Sequence, residues 1–150
     1  MQSPSIHISI ARQTLTLQRG DTTRHYPISS SQFGLGTGEG SFKTPLGRFE
    51  IAEKIGAGAP LGAIFTGRIP TGHLGHPDDP ADLIQTRILW LHGLDPDNAN
   101  TRNRYIYIHG TNHESQLGAP ASHGCIRMRN TDIADLFEQV PHGTPVFIQP

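Results

Sequence analysis

The sequence has a single cysteine in 150 residues, which excludes an internal disulfide and any metal site built on several thiolates. It has no apolar run near the roughly 18 residues that a membrane-crossing helix needs. It also lacks a block of one charge. The 12 Lys and Arg residues are offset by 13 Asp and Glu, so neither a nucleic-acid groove nor an anionic membrane surface is implied as partner. From Met1 to Ile10 no basic segment precedes an apolar one, so the N-terminus does not resemble a secretory signal. If the chain is the whole gene product, it is expected in the cytoplasm. A trimmed piece of a periplasmic protein would read the same way.

Glycine and proline are plentiful, at 17 and 12 residues, which favours strands joined by many turns over a helical bundle. The length fits one domain, expected to span residues 1–150. Ile6, Ile8 and Ile10 alternate with polar residues, Leu15 and Leu17 repeat the pattern, and Thr23 to Ile28 reads as a third strand. Gly34, Gly36, Gly38 and Gly40 mark a loop; without a strand-loop-helix context or a Gly-Lys-Ser/Thr ending they do not suggest a nucleotide site. Phe49 to Ile55 and Leu83 to Leu91 read as strands. Between them Gly56 to Asp82 shows little periodicity and is expected to be a long loop, of the kind that forms lids or binding surfaces.

Arg104-Tyr-Ile-Tyr-Ile-His-Gly110 is the clearest strand, with Tyr105, Tyr107 and His109 expected on one face. Ile133, Leu136, Phe137 and Val140 give one apolar face to a helix over Thr131–Val140, capped by Asn130 or Thr131. Val146 to Ile148 closes the chain as a strand. The class is mainly β, with one or two short helices.

A lone cysteine is most often a small core hydrophobe. Cys125 differs, because it sits in Ala121-Ser-His-Gly-Cys-Ile-Arg-Met128 between His123 and Arg127, groups expected to favour its nucleophilic thiolate. His109 ends a strand just before Gly110-Thr111-Asn112, and active-site side chains commonly project from such ends. The 16 positions from His109 to Cys125 are enough chain to fold back and join them. A cysteine beside a histidine suffices for acyl transfer: the imidazole takes the thiol proton and later returns it to the leaving amine. A backbone carbonyl near Gly110 would orient that imidazole. Arg127 would suit a substrate carboxylate, bidentately if geometry allows, though a structural salt bridge stays open.

His109-Gly-Thr111 followed by Ser122-His-Gly-Cys-Ile-Arg-Met128 resembles the signature of L,D-transpeptidase (YkuD-type) catalytic domains. Lys43-Thr-Pro-Leu-Gly-Arg-Phe49 is similar to the family's Thr-Pro-x-Gly-x-Phe segment, and Gly143-Thr-Pro-Val-Phe-Ile148 to its usual end. The resemblance runs from about Ile6 to Gln149. It implies a sandwich or barrel-like sheet, Cys125 as nucleophile, His109 as general base and acid, and Gly110 as its orienting group. It further implies an oxyanion hole of backbone N–H groups around Gly124 and Cys125, loop support from Ser122 and His123, and substrate contact near Arg127, Thr111 and Asn112. No cofactor or metal is implied. The implied substrates are peptidoglycan tetrapeptide stems ending in D-Ala, and carbapenem-type β-lactams are implied as inhibitors. Water as acceptor makes an L,D-carboxypeptidase acting on recycled muropeptides, the reading that the missing export signal favours. An amine acceptor makes an L,D-transpeptidase forming 3→3 crosslinks or exchanging terminal D-amino acids.

His73-Leu-Gly-His76 and His109-Gly-Thr-Asn-His113 invite a zinc hydrolase, but no His-Glu-x-x-His is present and the second pair starts where a strand enters a loop. A non-catalytic muropeptide-binding module would have no need of the Cys–His pair.

Overall fold

A computed structural model describes residues 3–150, so the first two residues of the expected 1–150 domain lie outside it. The chain opens as a meander: β1 (Ser5–Ser9), β2 (Thr14–Arg19) and β3 (Thr22–Ser29). Then come β4 (Gly47–Ile55), β5 (Ala63–Thr66), β6 (Ile69–Leu74), β7 (Ile84–Gly93), β8 (Tyr107–Gly110), β9 (Ile126–Met128), α1 (Asn130–Gln139) and β10 (Pro145–Gln149). The ten strands form one sheet in the order β4-β10-β1-β2-β3-β9-β8-β7-β5-β6. A second pairing, β4 with β7, closes the sheet into a barrel-like core and leaves β5 and β6 outside the ring.

The alternation seen in the sequence sets the inside of this ring. Ile6, Ile8, Leu15, Leu17, Phe49, Ile51, Leu89, Leu91, Ile108, Ile126, Val146 and Ile148 are buried in one apolar cluster. Fully burying such a side chain contributes about 1.5–3 kcal/mol. Helix α1 adds Ile133, Leu136 and Phe137 to the same core. It starts one residue earlier than its apolar spacing suggests. Its first amide, Asn130 N–H, is met by the Glu114 carboxylate at 2.7 Å and not by a local Asn or Thr cap.

Two strand expectations need correction. Tyr105 is not in β8: it has φ of 57°, lies in a turn where its N–H bonds Arg102 O, and is exposed. The 56–82 segment is not a plain loop either, because it folds into the β5–β6 hairpin. Every residue of β6 is exposed, so no alternation marks it in the sequence. The hairpin lies over the outer face of the sheet. Ala63 and Phe65 form a second apolar cluster there with Ile88 and Tyr107, against which Trp90 and Cys125 pack.

Candidate active site

Strands β8 and β9 run parallel with Ile108 beside Ile126 and His109 beside Arg127. Paired residues share a face and alternate residues return to it. Ile108 and Ile126 therefore enter the core, while Tyr107, His109, Cys125 and Arg127 share the opposite, outer face. The register continues at Cys125, whose Sγ accepts the Tyr107 N–H at 3.3 Å. Residues 111–124 fold back between the strands and bring Cys125 to the strand beside His109.

His109 is buried, and its Nδ1 lies 2.6 Å from Gly110 O. A carbonyl only accepts, so Nδ1 carries the proton and Nε2 keeps its lone pair. Gly110 has no room for a side chain: an added Cβ would stand 2.7 Å from Gln85 O and meet Asn130 Oδ1 and Ile133 as well. Gly110→Ala is expected to cost about 2–3 kcal/mol in urea unfolding through overpacking, and to disturb the carbonyl that holds His109.

Desolvation acts on both members of the pair. Burial pushes the Cys125 thiol up to about 11, despite the Tyr107 N–H and the nearby Arg104 and Arg127 cations. Burial likewise lowers His109 below its ordinary value. The direction runs against the expectation of a favoured thiolate, because desolvation is the largest influence on Cys125, ahead of the neighbouring cations. The thiol itself donates to Tyr105 O at 3.4 Å. Cys125 opens onto a cleft of about 410 Å³ bordered by Phe42, Arg104, Tyr105 and His123.

The loop before Cys125 is held from several sides. Ser122 Oγ donates to Cys125 O at 2.7 Å and accepts the Gly124 N–H at 3.3 Å. Gly124 has φ of +123°, a region open to glycine, and its carbonyl accepts from Thr44 Oγ1 at 3.0 Å. Thr44 thus ties the Thr-Pro-Leu-Gly segment to the cysteine loop. His123 stands at the cleft rim against the Phe33 and Phe42 rings.

Three expected substrate contacts are not met. Arg127 is 2% exposed; its Nη2 pairs with Asp82 Oδ1 at 2.9 Å and its Nη1 donates to Gln116 Oε1 at 2.7 Å. Both of its terminal nitrogens are therefore engaged inside the protein, while its buried Nε has no partner. Thr111 is wholly buried, with its carbonyl bonded to Asn130 Nδ2. Asn112 is also buried and holds the 76–83 segment. Its Nδ2 donates to His76 O, Asp79 O and Ala81 O at 3.3, 3.0 and 3.1 Å, and its Oδ1 accepts the Leu83 N–H at 3.1 Å. Asn112→Ala strands those groups and is expected to lower stability by about 2–3 kcal/mol in urea unfolding.

Asp82, at the end of the segment held by Asn112, escapes sequence reasoning. Besides Arg127, its carboxylate meets His123 Nδ1 at 3.0 Å. Asp82 just precedes β7, whose Gln85 pairs with Gly110, so it enters the sheet at the end where His109 lies, a register that only the fold shows. Among the described residues, no group of three or more His, Cys, Asp or Glu side chains is placed to hold a metal ion.

A closed sheet that sets a cysteine and a carbonyl-pinned histidine on one face of neighbouring parallel strands has the form of a Cys–His acyl-transfer domain. The profile of the L,D-transpeptidase catalytic domain (YkuD) matches residues 3–148, and the chain belongs to that family. It is 30% identical over 145 residues to the L,D-transpeptidase YkuD of Bacillus subtilis, covering 95% of this chain and 64% of that protein. It is 40% identical over 95 residues to the L,D-transpeptidase YbiS of Escherichia coli, covering 63% of this chain but 24% of that protein. The chain thus spans less than two thirds of these relatives. Among solved structures, L,D-transpeptidase 3 of Mycobacterium tuberculosis with a faropenem-derived adduct covers 99% of this chain and 61% of its own, with a TM-score of 0.64 and 19% identity. LdtMt1 in complex with imipenem covers 99% of this chain and 59% of its own, with a TM-score of 0.61 and 21% identity. These structural likenesses show the shared fold.

Proposed function

We propose that this domain is a cysteine acyl-transferase acting on peptidoglycan tetrapeptide stems, with water as its main acceptor: an L,D-carboxypeptidase that releases D-Ala from muropeptides. The observation that carries this reading is the placement of Cys125 and His109 on one face of adjacent strands, with Nδ1 of His109 pinned by Gly110. Cys125 Sγ attacks the carbonyl at the L-centre of the third stem residue while its proton passes to His109 Nε2. The resulting oxyanion takes the Cys125 N–H. The Gly124 N–H joins only if its long bond to Ser122 yields. The C–N bond then breaks, His109 returns the proton to the D-Ala amine, and a thioester stays on Cys125. His109 next deprotonates water, which attacks the thioester and regenerates the thiol.

Burial of His109 does not choose between acceptors, because the leaving D-Ala amine must meet the same imidazole that an acceptor amine or water would use. The second reading, transpeptidation, is favoured by the names of the relatives. We further propose a cytoplasmic recycling role for the hydrolytic form. Incubation with a disaccharide tetrapeptide, followed by mass spectrometry, separates the readings. Loss of D-Ala without dimers supports the carboxypeptidase. Dimers, or exchange with an added D-amino acid, establish the transpeptidase instead, and an unchanged substrate rejects both. Because solved relatives carry β-lactam ligands, a carbapenem is expected to acylate Cys125. Intact-mass spectrometry should show one adduct on the protein and none on Cys125→Ala.

A further inference from the structure

Arg127 presents a problem for the site. Its guanidinium is almost wholly buried and stands beside His109 in the strand register, where a cation opposes protonation of the imidazole. Yet His109 must accept a proton for the thiol to attack. The charged groups acting on His109 are Arg127, from β9, and Asp82, from the segment before β7. Those acting on Cys125 are the same two and Arg104. Asp82 is therefore the one anion in this set.

We propose that Asp82 is a positioning residue of the acyl-transfer site: its carboxylate, clamped between Arg127 and His123, neutralises the buried guanidinium beside His109 and lets the imidazole take the thiol proton. The inference rests on the Cys125–His109 reading. Its geometry is a three-point clamp. Oδ1 holds Arg127 Nη2 at 2.9 Å, Oδ2 holds His123 Nδ1 at 3.0 Å, and Asn112 fixes the preceding backbone. Arg127 is buried and Asp82 partly exposed, so breaking the pair from the Asp82 side leaves the buried guanidinium uncompensated. Removing Asp82 leaves Arg127 alone with His109. As the imidazolium and the tetrahedral oxyanion form, Asp82 stabilises the first. It also opposes a free thiolate at rest, so the proton leaves Cys125 only when His109 receives it.

A purely structural role, in which Asp82 only pins its loop, predicts the opposite sign at His109. Loosening the loop would hydrate the imidazole and raise its midpoint, whereas losing the anion lowers it. The test is an NMR titration of the His109 ring carbons, assigned with His109→Gln, in the wild-type chain and in Asp82→Asn, Asp82→Glu and Arg127→Gln. Asp82→Asn is expected to lower the midpoint by roughly half a unit or more, Asp82→Glu to restore it, and Arg127→Gln to raise it. D-Ala release by Asp82→Asn should fall about tenfold. An unchanged or raised midpoint in Asp82→Asn overturns the assignment. If that variant does not fold, an unchanged or lowered midpoint in Arg127→Gln does so. Absence of D-Ala release by the wild type rejects the Cys–His reading, while the titration still judges Asp82 separately.

Discussion

Cys125→Ala is expected to lower D-Ala release from a disaccharide tetrapeptide by roughly 10⁴-fold or more, because the whole covalent route is removed and only binding and oxyanion contacts remain. Stability should fall modestly, by about 1 kcal/mol: Cys125 is packed on the margin of the smaller apolar cluster, not in the main core, but alanine removes the Sγ that accepts the Tyr107 N–H. A small shift of the urea midpoint with a collapsed rate would place the loss in chemistry. A rate within tenfold of wild type would mean that another group forms the acyl-enzyme or that none forms.

His109→Gln is expected to cost about 10²–10⁴ in kcat/KM, the usual contribution of a positioned acid–base. The pH behaviour follows from the two burials. His109 is held below its ordinary value of 6.5, so it stays a neutral base at pH 7 and the acid limb of kcat/KM should lie below pH 6.5. Cys125, pushed up to about 11, is a thiol at neutral pH. Below that value its thiolate fraction grows about tenfold per pH unit, so alkylation by iodoacetamide should climb steeply through pH 9 and level only near 11. An alkylation midpoint near pH 7 would instead reveal a preformed thiolate–imidazolium pair, and with it a different resting site.

The parts of this protein that were legible in its sequence are those where local pattern decides structure. Ile6 and Ile8, Leu15 and Leu17, and Val146 and Ile148 alternate because one face of each strand is buried, and they all enter the core. The α1 face shows for the same reason. The Cys125 and His109 segments are legible because their neighbours carry chemistry at short spacing.

What was hidden depends on contacts remote in sequence. β6 escapes because it is exposed on both faces and has no period to read. The sequence leaves Arg127 open between substrate contact and a structural salt bridge, and only the folded chain brings Asp82 and Gln116 to it. Thr111 and Asn112 sit next to a catalytic candidate in sequence, yet both are buried: the Thr111 backbone bonds β9 and the Asn130 side chain, and the Asn112 side chain holds the 76–83 segment. Thr86 gives no warning at all. It is a β-branched residue at φ of +74°, in the β7 bulge facing the end of β8. Such strain persists only where surroundings enforce it, here through Thr86 Oγ1 bonds with Asn130 Oδ1 and the Gly62 N–H.

A Cys125 acyl-enzyme can be sought directly as its thioester. The chain would be mixed briefly with disaccharide tetrapeptide, quenched in acid and weighed intact, with peptide mapping of any adduct. The expected result is an added mass equal to the substrate less D-Ala, located on Cys125 and absent from Cys125→Ala. D-Ala released equally by Cys125→Ala, or an adduct on any other residue, would contradict it.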